Sequence, residues 1–177
     1  MNLKSILWLL GLCWISYFLS LFTPINQYGI HPRTLEGLIG IPFSPFLHGS
    51  FSHLIANSSG LLVFGWALGI LERKRFFRIL IALVFLGGSG TWIFAREANH
   101  IGASGLIFGF FGYLLCLGYF QKKLKFILVS LLTLLGYGGM LFGVLPQALE
   151  ISWESHLFGL LAGAAMAKWR HSRTVDP

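Results

Sequence analysis

The sequence predicts an all-α, polytopic membrane protein, a bundle of six transmembrane helices. Three observations predict it. The 177 residues are 55% apolar and 11% charged, with a mean hydropathy of +0.74, far from the usual soluble profile. The apolar residues fall into six runs that approach the roughly 20 residues needed to cross a hydrocarbon core. The cations also alternate: Lys4, Arg73, Lys74, Arg75, Arg78, Lys122, Lys123, Lys125, Lys168, Arg170 and Arg173 fall on one side of such a bundle, and only Arg33 and Arg96 on the other.

The runs lie at about 5–22, 57–71, 77–95, 101–120, 124–145 and 151–168. Lipid offers the backbone of an open chain no partner except its own helix, so each run is expected to be helical. The second and sixth are short, and the sixth spans only if Ile151 to Ser155 begin it. The first follows Lys4 and ends in "SLFTPINQ" without a small-x-small cleavage site. It reads as a retained helix, with a spare signal sequence as the alternative. The connection 23–52 is long and carries Pro24, Pro32, Pro42 and Pro45, yet it also carries Leu35, Leu38, Ile39, Ile41, Phe43 and Phe46. It is expected to lie partly in the outer leaflet, with a short helix near Thr34 to Ile39. Residues 144–155, "VLPQALEISWES", would cap the outer end of the bundle.

Residues 1–177 read as a single membrane domain with both termini cytoplasmic, and the small six-helix form points to a plasma (inner) membrane. The net charge of +7 is explained by topology and anionic-lipid contact. No basic stripe with interleaved aromatics lies in a soluble region, so nucleic-acid binding is not expected. Cys13 and Cys116 fall mid-span and read as small apolar filler.

With this topology the second, fourth and sixth helices all start from the outer face, and polar residues gather there. His48, His53 and Asn57 open the second, His100 and Ser104 the fourth, and His156 the sixth. Polar side chains at membrane depth are costly and mark a cavity or partner. A serine is a weak nucleophile without an adjacent base, and His156 is the candidate base for Ser104. Gly105 and Gly109 on the fourth helix and Gly159 and Gly163 on the sixth give small faces that let two helices approach closely. His53 and Asn57, at i and i+4, project from one helix face. With the unpaired Ser104 N–H at a helix start, they could stabilise an oxyanion. Taken singly, each residue has an ordinary alternative: a serine bonding its own helix, an interfacial histidine, glycines that only pack.

Other chemistries fit less well. An aspartyl intramembrane protease needs two membrane aspartates, and the chain has one Asp, Asp176, in its tail. No H-E-x-x-H is present for a zinc protease. His48, His53 and His156 lack a carboxylate companion for a metal, so neither metal nor cofactor is expected. Glu154 is too close to His156 on one helix to orient its ring, which leaves a Ser-His dyad. Gly87-Gly88-Ser89-Gly90 matches the pattern of Gly102-Ala103-Ser104-Gly105, but it lies inside the third run with no polar approach, and Ser89 reads as a packing residue.

"HGSFSHLIAN" with His48, His53 and Asn57, "GASG" with Ser104, and "HLFGLLAG" with His156, Gly159 and Gly163 together resemble the rhomboid intramembrane serine proteases. The resemblance covers nearly the whole chain, in order and on the expected helices. It implies a compact six-helix core with Ser104 as nucleophile and His156 as general base. It further implies an oxyanion hole of His53, Asn57 and the Ser104 amide, with His48 ordering the first loop. Phe108 stands where the family's supporting aromatic, in some members Tyr, lies one turn after the serine. Gly102, Gly105 and Gly159 would support the site. Many members carry a Trp-Arg pair upstream of the first histidine; this chain has Ile39 and Gly40 near that place.

The expected activity is cleavage of transmembrane segments of membrane proteins near the outer bilayer face. Two rivals stand beside it: a catalytically silent relative that binds membrane helices for quality control, and a small-solute transporter. The substrate's identity and the oligomeric state are not set by the sequence.

Overall fold

A computed structural model describes residues 3–146, 148 and 151–175. The described residues are helical with no strand, and one isolated antiparallel bridge joins Ile30 to His100. Seven helical rods replace the six expected: α1 (Leu3–Ser20), α2 (Leu35–Phe43), α3 (Phe51–Leu71), α4 (Phe76–Phe94), α5 (Ser104–Gln121), α6 (Leu124–Tyr137) and α7 (Trp153–Val175). The rod beyond six is the short helix of the first loop, expected near Thr34 to Ile39 and found at Leu35–Phe43. Thr34 caps it by accepting the Gly37 N–H at 3.0 Å, and it runs on through Pro42 to Phe43.

Four rods are long and apolar enough to cross a membrane by length and composition: Phe51–Leu71, Phe76–Phe94, Ser104–Gln121 and Leu124–Val144. The apolar part of α1 is shorter, and α7 carries charges near both ends, Glu154 at one and Lys168 and Arg170 at the other.

Several expected boundaries are corrected, each for a local reason. The second helix begins at Phe51 rather than 57, because Ser50 caps it by accepting the His53 N–H. Its polar residues turn to a cavity instead of breaking it. Between Leu61 and Gly65 this helix widens into a π turn, which brings Phe64 against Phe111 and Tyr137 with ring centroids 5.8 and 4.8 Å apart. The fourth helix begins at Ser104 rather than 101, because Gly102 turns the chain at φ +113 and donates its N–H to Ser44 O at 2.8 Å. The fifth loses α geometry after Tyr137 and continues as a 3-10 segment, Gly138–Val144, where closely spaced glycines weaken the helix. The sixth runs from Trp153 to Val175, past the expected end at 168. Of the connection 144–155, Gln147, Leu149 and Glu150 lie outside the described residues.

The centre of the bundle is α5, which packs most closely on α7 and also on α4 and α6. Its contact with α7 is made backbone to backbone. A Cβ on Gly159 would stand 2.0 Å from Gly105 O, one on Gly163 2.1 Å from Gly109 O, and one on Gly112 2.4 Å from Leu160 O. Only glycine permits that approach. Phe110, Phe111, Tyr113, Leu114 and Leu117 fill the space around it, all fully buried. At the opposite end from Ser104, Arg170 of α7 donates to Glu72 at the end of α3, joining those helices through a buried ion pair.

Candidate active site

The close α5–α7 seam sets the first turns of both helices side by side, and the first residue of α5 is Ser104. Beside that seam opens a cavity of about 1150 Å³. Ser104, His156, His53, Asn57 and Phe108 all line it. Ser89 does not line it; its neighbours Gly87 and Gly90 lie against Gly159 and Phe158 of α7.

Each side chain has an identifiable support. The His156 ring lies flat on Phe108, 4.2 Å between centroids with 4° between planes. Its Nδ1 lies 2.9 Å from Gly143 O. A carbonyl oxygen can only accept, so Nδ1 carries the proton and Nε2 keeps its lone pair. A hydroxyl reaching Nε2 would therefore meet a base in the correct tautomer.

Asn57 on α3 and His48 in the loop before it form a second unit. His48 Nδ1 donates to Phe46 O at 3.2 Å, which leaves Nε2 to accept from Asn57 Nδ2 at 3.0 Å. Asn57 retains a second amide hydrogen for the cavity. His48 is fully buried at the loop, and desolvation, with the neighbouring His53 ring adding to it, pushes its pKa down to about 4. His53 meets His48 edge-on at 5.1 Å and lies against Gly102, where a Cβ would be 2.6 Å from its Nε2. Gly102 is therefore required twice, by its positive φ and by the histidine over it.

Two polar ties join the loop before Ser104 to the start of α7, and the sequence reading missed both. Arg96 forms a 3.2 Å ion pair with Glu154 and donates to Ile151 O at 2.7 Å. His100 contacts Ser152 through Nδ1 and donates from Nε2 to Arg96 O at 3.0 Å, while Ser152 bonds Ser155. Burial holds the His100 imidazole below its usual range. Glu154 thus serves Arg96 rather than His156. A clue was legible: Arg96 is one of two cations expected on the outer face, and Glu154 is an acid at the mouth of a helix on the same face. Gly143 carried no such signal.

Comparison with known proteins bears on this arrangement. The model of the Rhomboid domain matches residues 36–173. An uncharacterized protein of Mycobacterium tuberculosis is 40% identical over 152 residues, covering 81% of this chain and 63% of that protein. One from Mycobacterium leprae is 34% identical over 152 residues, covering 81% and 60%. A Bacillus subtilis protein titled "Putative rhomboid protease YdcA" is 32% identical over 126 residues, covering 66% of this chain and 59% of that protein. The chain thus spans about three-fifths of the length of these relatives.

Proposed function

This chain belongs to the rhomboid family, and from that membership we propose that it is an intramembrane serine endopeptidase working through a Ser104–His156 dyad. The observation that supports the reading is that Ser104 and a tautomer-fixed His156 line the same cavity, each at the first turn of its helix. In this reading residues 1–177 form one membrane unit in which α1 and α3 to α7 cross the bilayer. The loop helix α2 lies in the outer interface, exposing Leu35, Ile39 and Phe43 to lipid. Both termini are cytoplasmic, in a plasma membrane.

The chemistry follows from the side chains. Ser104 Oγ attacks the scissile carbonyl carbon while its proton passes to His156 Nε2. The oxyanion accepts hydrogen bonds from the free Asn57 amide hydrogen, the Ser104 N–H and the His53 ring. Collapse breaks the C–N bond, and His156 returns the proton to the departing amine. His156 then takes a proton from water, whose oxygen attacks the acyl-serine ester. The second collapse breaks the acyl–Oγ bond, His156 returns the proton to Ser104 Oγ, and the acid is released. Water reaches the site through the polar mouth formed by Ser50, Ser52 and Asn99.

The substrate is a transmembrane segment of another membrane protein. Its carbonyls are hydrogen-bonded within a helix, so cleavage requires local unwinding, cheapest where Gly, Pro or polar residues weaken the helix. The cavity extends between α3 and α6, past Gly60, Val63, Tyr137 and Met140. α6 is the mobile wall that admits the segment, and cross-linking α6 to α3 without loss of cleavage would remove that role from it.

The test is labelling of the purified protein in detergent by a fluorophosphonate. Wild type and Ser89→Ala are expected to label, and Ser104→Ala and His156→Ala are not. Absence of labelling in wild type would favour a silent helix-binding relative. Labelling that persists in Ser104→Ala would end the dyad assignment.

A further inference from the structure

The proposed dyad lacks a carboxylate, and the role a carboxylate would fill is held by the backbone. We propose that the main-chain carbonyl of Gly143 is the third member of the relay, holding His156 in its Nδ1–H tautomer only while the segment Gly138–Val144 is seated against α7. The proposal deepens the protease reading and rests on it.

The other groups around the ring leave this role open. Glu154, the nearest acid in sequence, is committed to Arg96. Phe108 covers the ring face and offers no acceptor. Gly143 O, at 2.9 Å, lies where it accepts from Nδ1. In a neutral imidazole the other tautomer would put the proton on Nε2, which then could not take one from serine.

The identity of residue 143 fits the role. A Cβ there would stand 2.7 Å from Phe108 Cζ and 3.7 Å from His156 Nδ1. Glycine alone lets the chain pass over the edge of the stacked rings closely enough for its carbonyl to reach Nδ1. A larger residue would displace either the carbonyl or the Phe108–His156 stack.

The tether is light, with the half-buried Met140 packed on the core and no side chain fully buried, which makes the relay conditional. Gly138–Val144 is a 3-10 segment with no buried residue, and a Cβ at Gly139 would meet nothing within 4 Å. It continues α6, which is almost entirely unburied. Movement of α6 away from α3 therefore carries the Gly143 carbonyl off His156. The site is disarmed while open and is rearmed when the segment closes over a bound substrate.

Gly143 is a positioning residue, so its test reads the tautomer as well as the rate. The full chain is prepared in detergent with 15N-labelled histidine, and the His156 ring nitrogens are assigned by their loss in His156→Gln. Incorporating α-hydroxyvaline at position 144 turns the 143–144 amide into an ester and weakens the Gly143 carbonyl as an acceptor without adding bulk. α-Hydroxyleucine at position 145 is the control; it removes the Leu145 N–H that bonds Phe142 O and leaves the Gly143 carbonyl an amide.

Wild type is expected to show Nδ1–H at His156. The ester at 144 should populate the Nε2–H tautomer and slow fluorophosphonate labelling of Ser104 about fivefold, with the control within about twofold of wild type. Gly143→Ala should shift the tautomer in the same direction. An Nε2–H tautomer in wild type would overturn the proposal, as would a 144 ester that leaves tautomer and labelling unchanged. Labelling that persists in Ser104→Ala would instead defeat the protease reading, while the tautomer spectrum still judges Gly143.

Discussion

α5 and α6 follow one another in the chain, and both are long and apolar enough to span a bilayer, but 67% of Ser104–Gln121 is buried inside the bundle against 6% of the most apolar 18 residues within Leu124–Val144. The first helix carries glycines wherever another backbone approaches it and large aromatics wherever space must be filled. The second exposes Leu124, Leu132 and Leu135 almost entirely and buries only Phe126 and Thr133 over Leu124–Tyr137. Near its Lys123 end α6 is fastened to α5 by Ser130, which donates to Leu114 O at 2.7 Å and accepts the Gly118 N–H at 2.8 Å. At the other end its ties include the Phe64–Tyr137 ring pair, the Gly143–His156 hydrogen bond and the packing of Met140 on the core. One helix is a buried scaffold and the other an exposed wall, and the candidate nucleophile sits on the scaffold.

The sharpest way to break this contrast is to separate α5 from α7. Gly159→Ala places a methyl 2.0 Å from a backbone oxygen that cannot move independently, and it should cost about 3 kcal/mol or more. The measurement is the midpoint of thermal unfolding in detergent, and a wild-type midpoint would show the seam to be looser than drawn.

Acid should act next, through the loop beside the scaffold. His48 is neutral and buried with a pKa of about 4, below the ordinary value of 6.5. As pH falls below 6.5 the unfolded chain takes up the proton first, so stability is lost down to about pH 4. By pH 5 the loss from this group should be about 2 kcal/mol. His48→Asn should flatten that part of the stability–pH curve; an equally steep curve would shift the cause to another group.

The clasp between the serine loop and α7 comes third. Arg96→Ala leaves the buried Glu154 carboxylate without its ion pair and should cost about 1–2 kcal/mol. Adding Glu154→Gln should recover part of that loss, and simple additivity of the two changes would show that the residues do not interact. The smallest effect belongs to the wall: Leu135→Ala, at a position 74% exposed, should change the unfolding midpoint by no more than about 0.5 kcal/mol equivalent.

How much of this was legible in the sequence varies with the range of the interaction. Ser104, His156, His53 and Asn57 could be singled out because polar side chains near the lip of an apolar run are conspicuous one at a time. The start of α3 was read too late for the related reason that "HGSFSHLIAN" looks too polar for a helix, until Ser50 is seen to cap it and a cavity to receive its polar face. The α2 helix was read too short because Pro42, which usually ends a helix, lies inside this one. The Arg96–Glu154 and His100–Ser152 contacts escaped because each joins segments far apart in the chain.

By itself the sequence determined the membrane class, the helical backbone, the motifs that resemble the rhomboid family and the candidates for nucleophilic or basic chemistry. These follow from composition and local order, since a run of apolar residues must satisfy its own backbone wherever it lies in lipid. Only the tertiary structure decided which apolar helix is the buried hub and which the exposed wall, which acceptor fixes the His156 tautomer, and which glycines are backbone contacts. Hydropathy is blind to those distinctions, because lipid and protein interior are equally apolar and only the approach of distant backbones tells them apart.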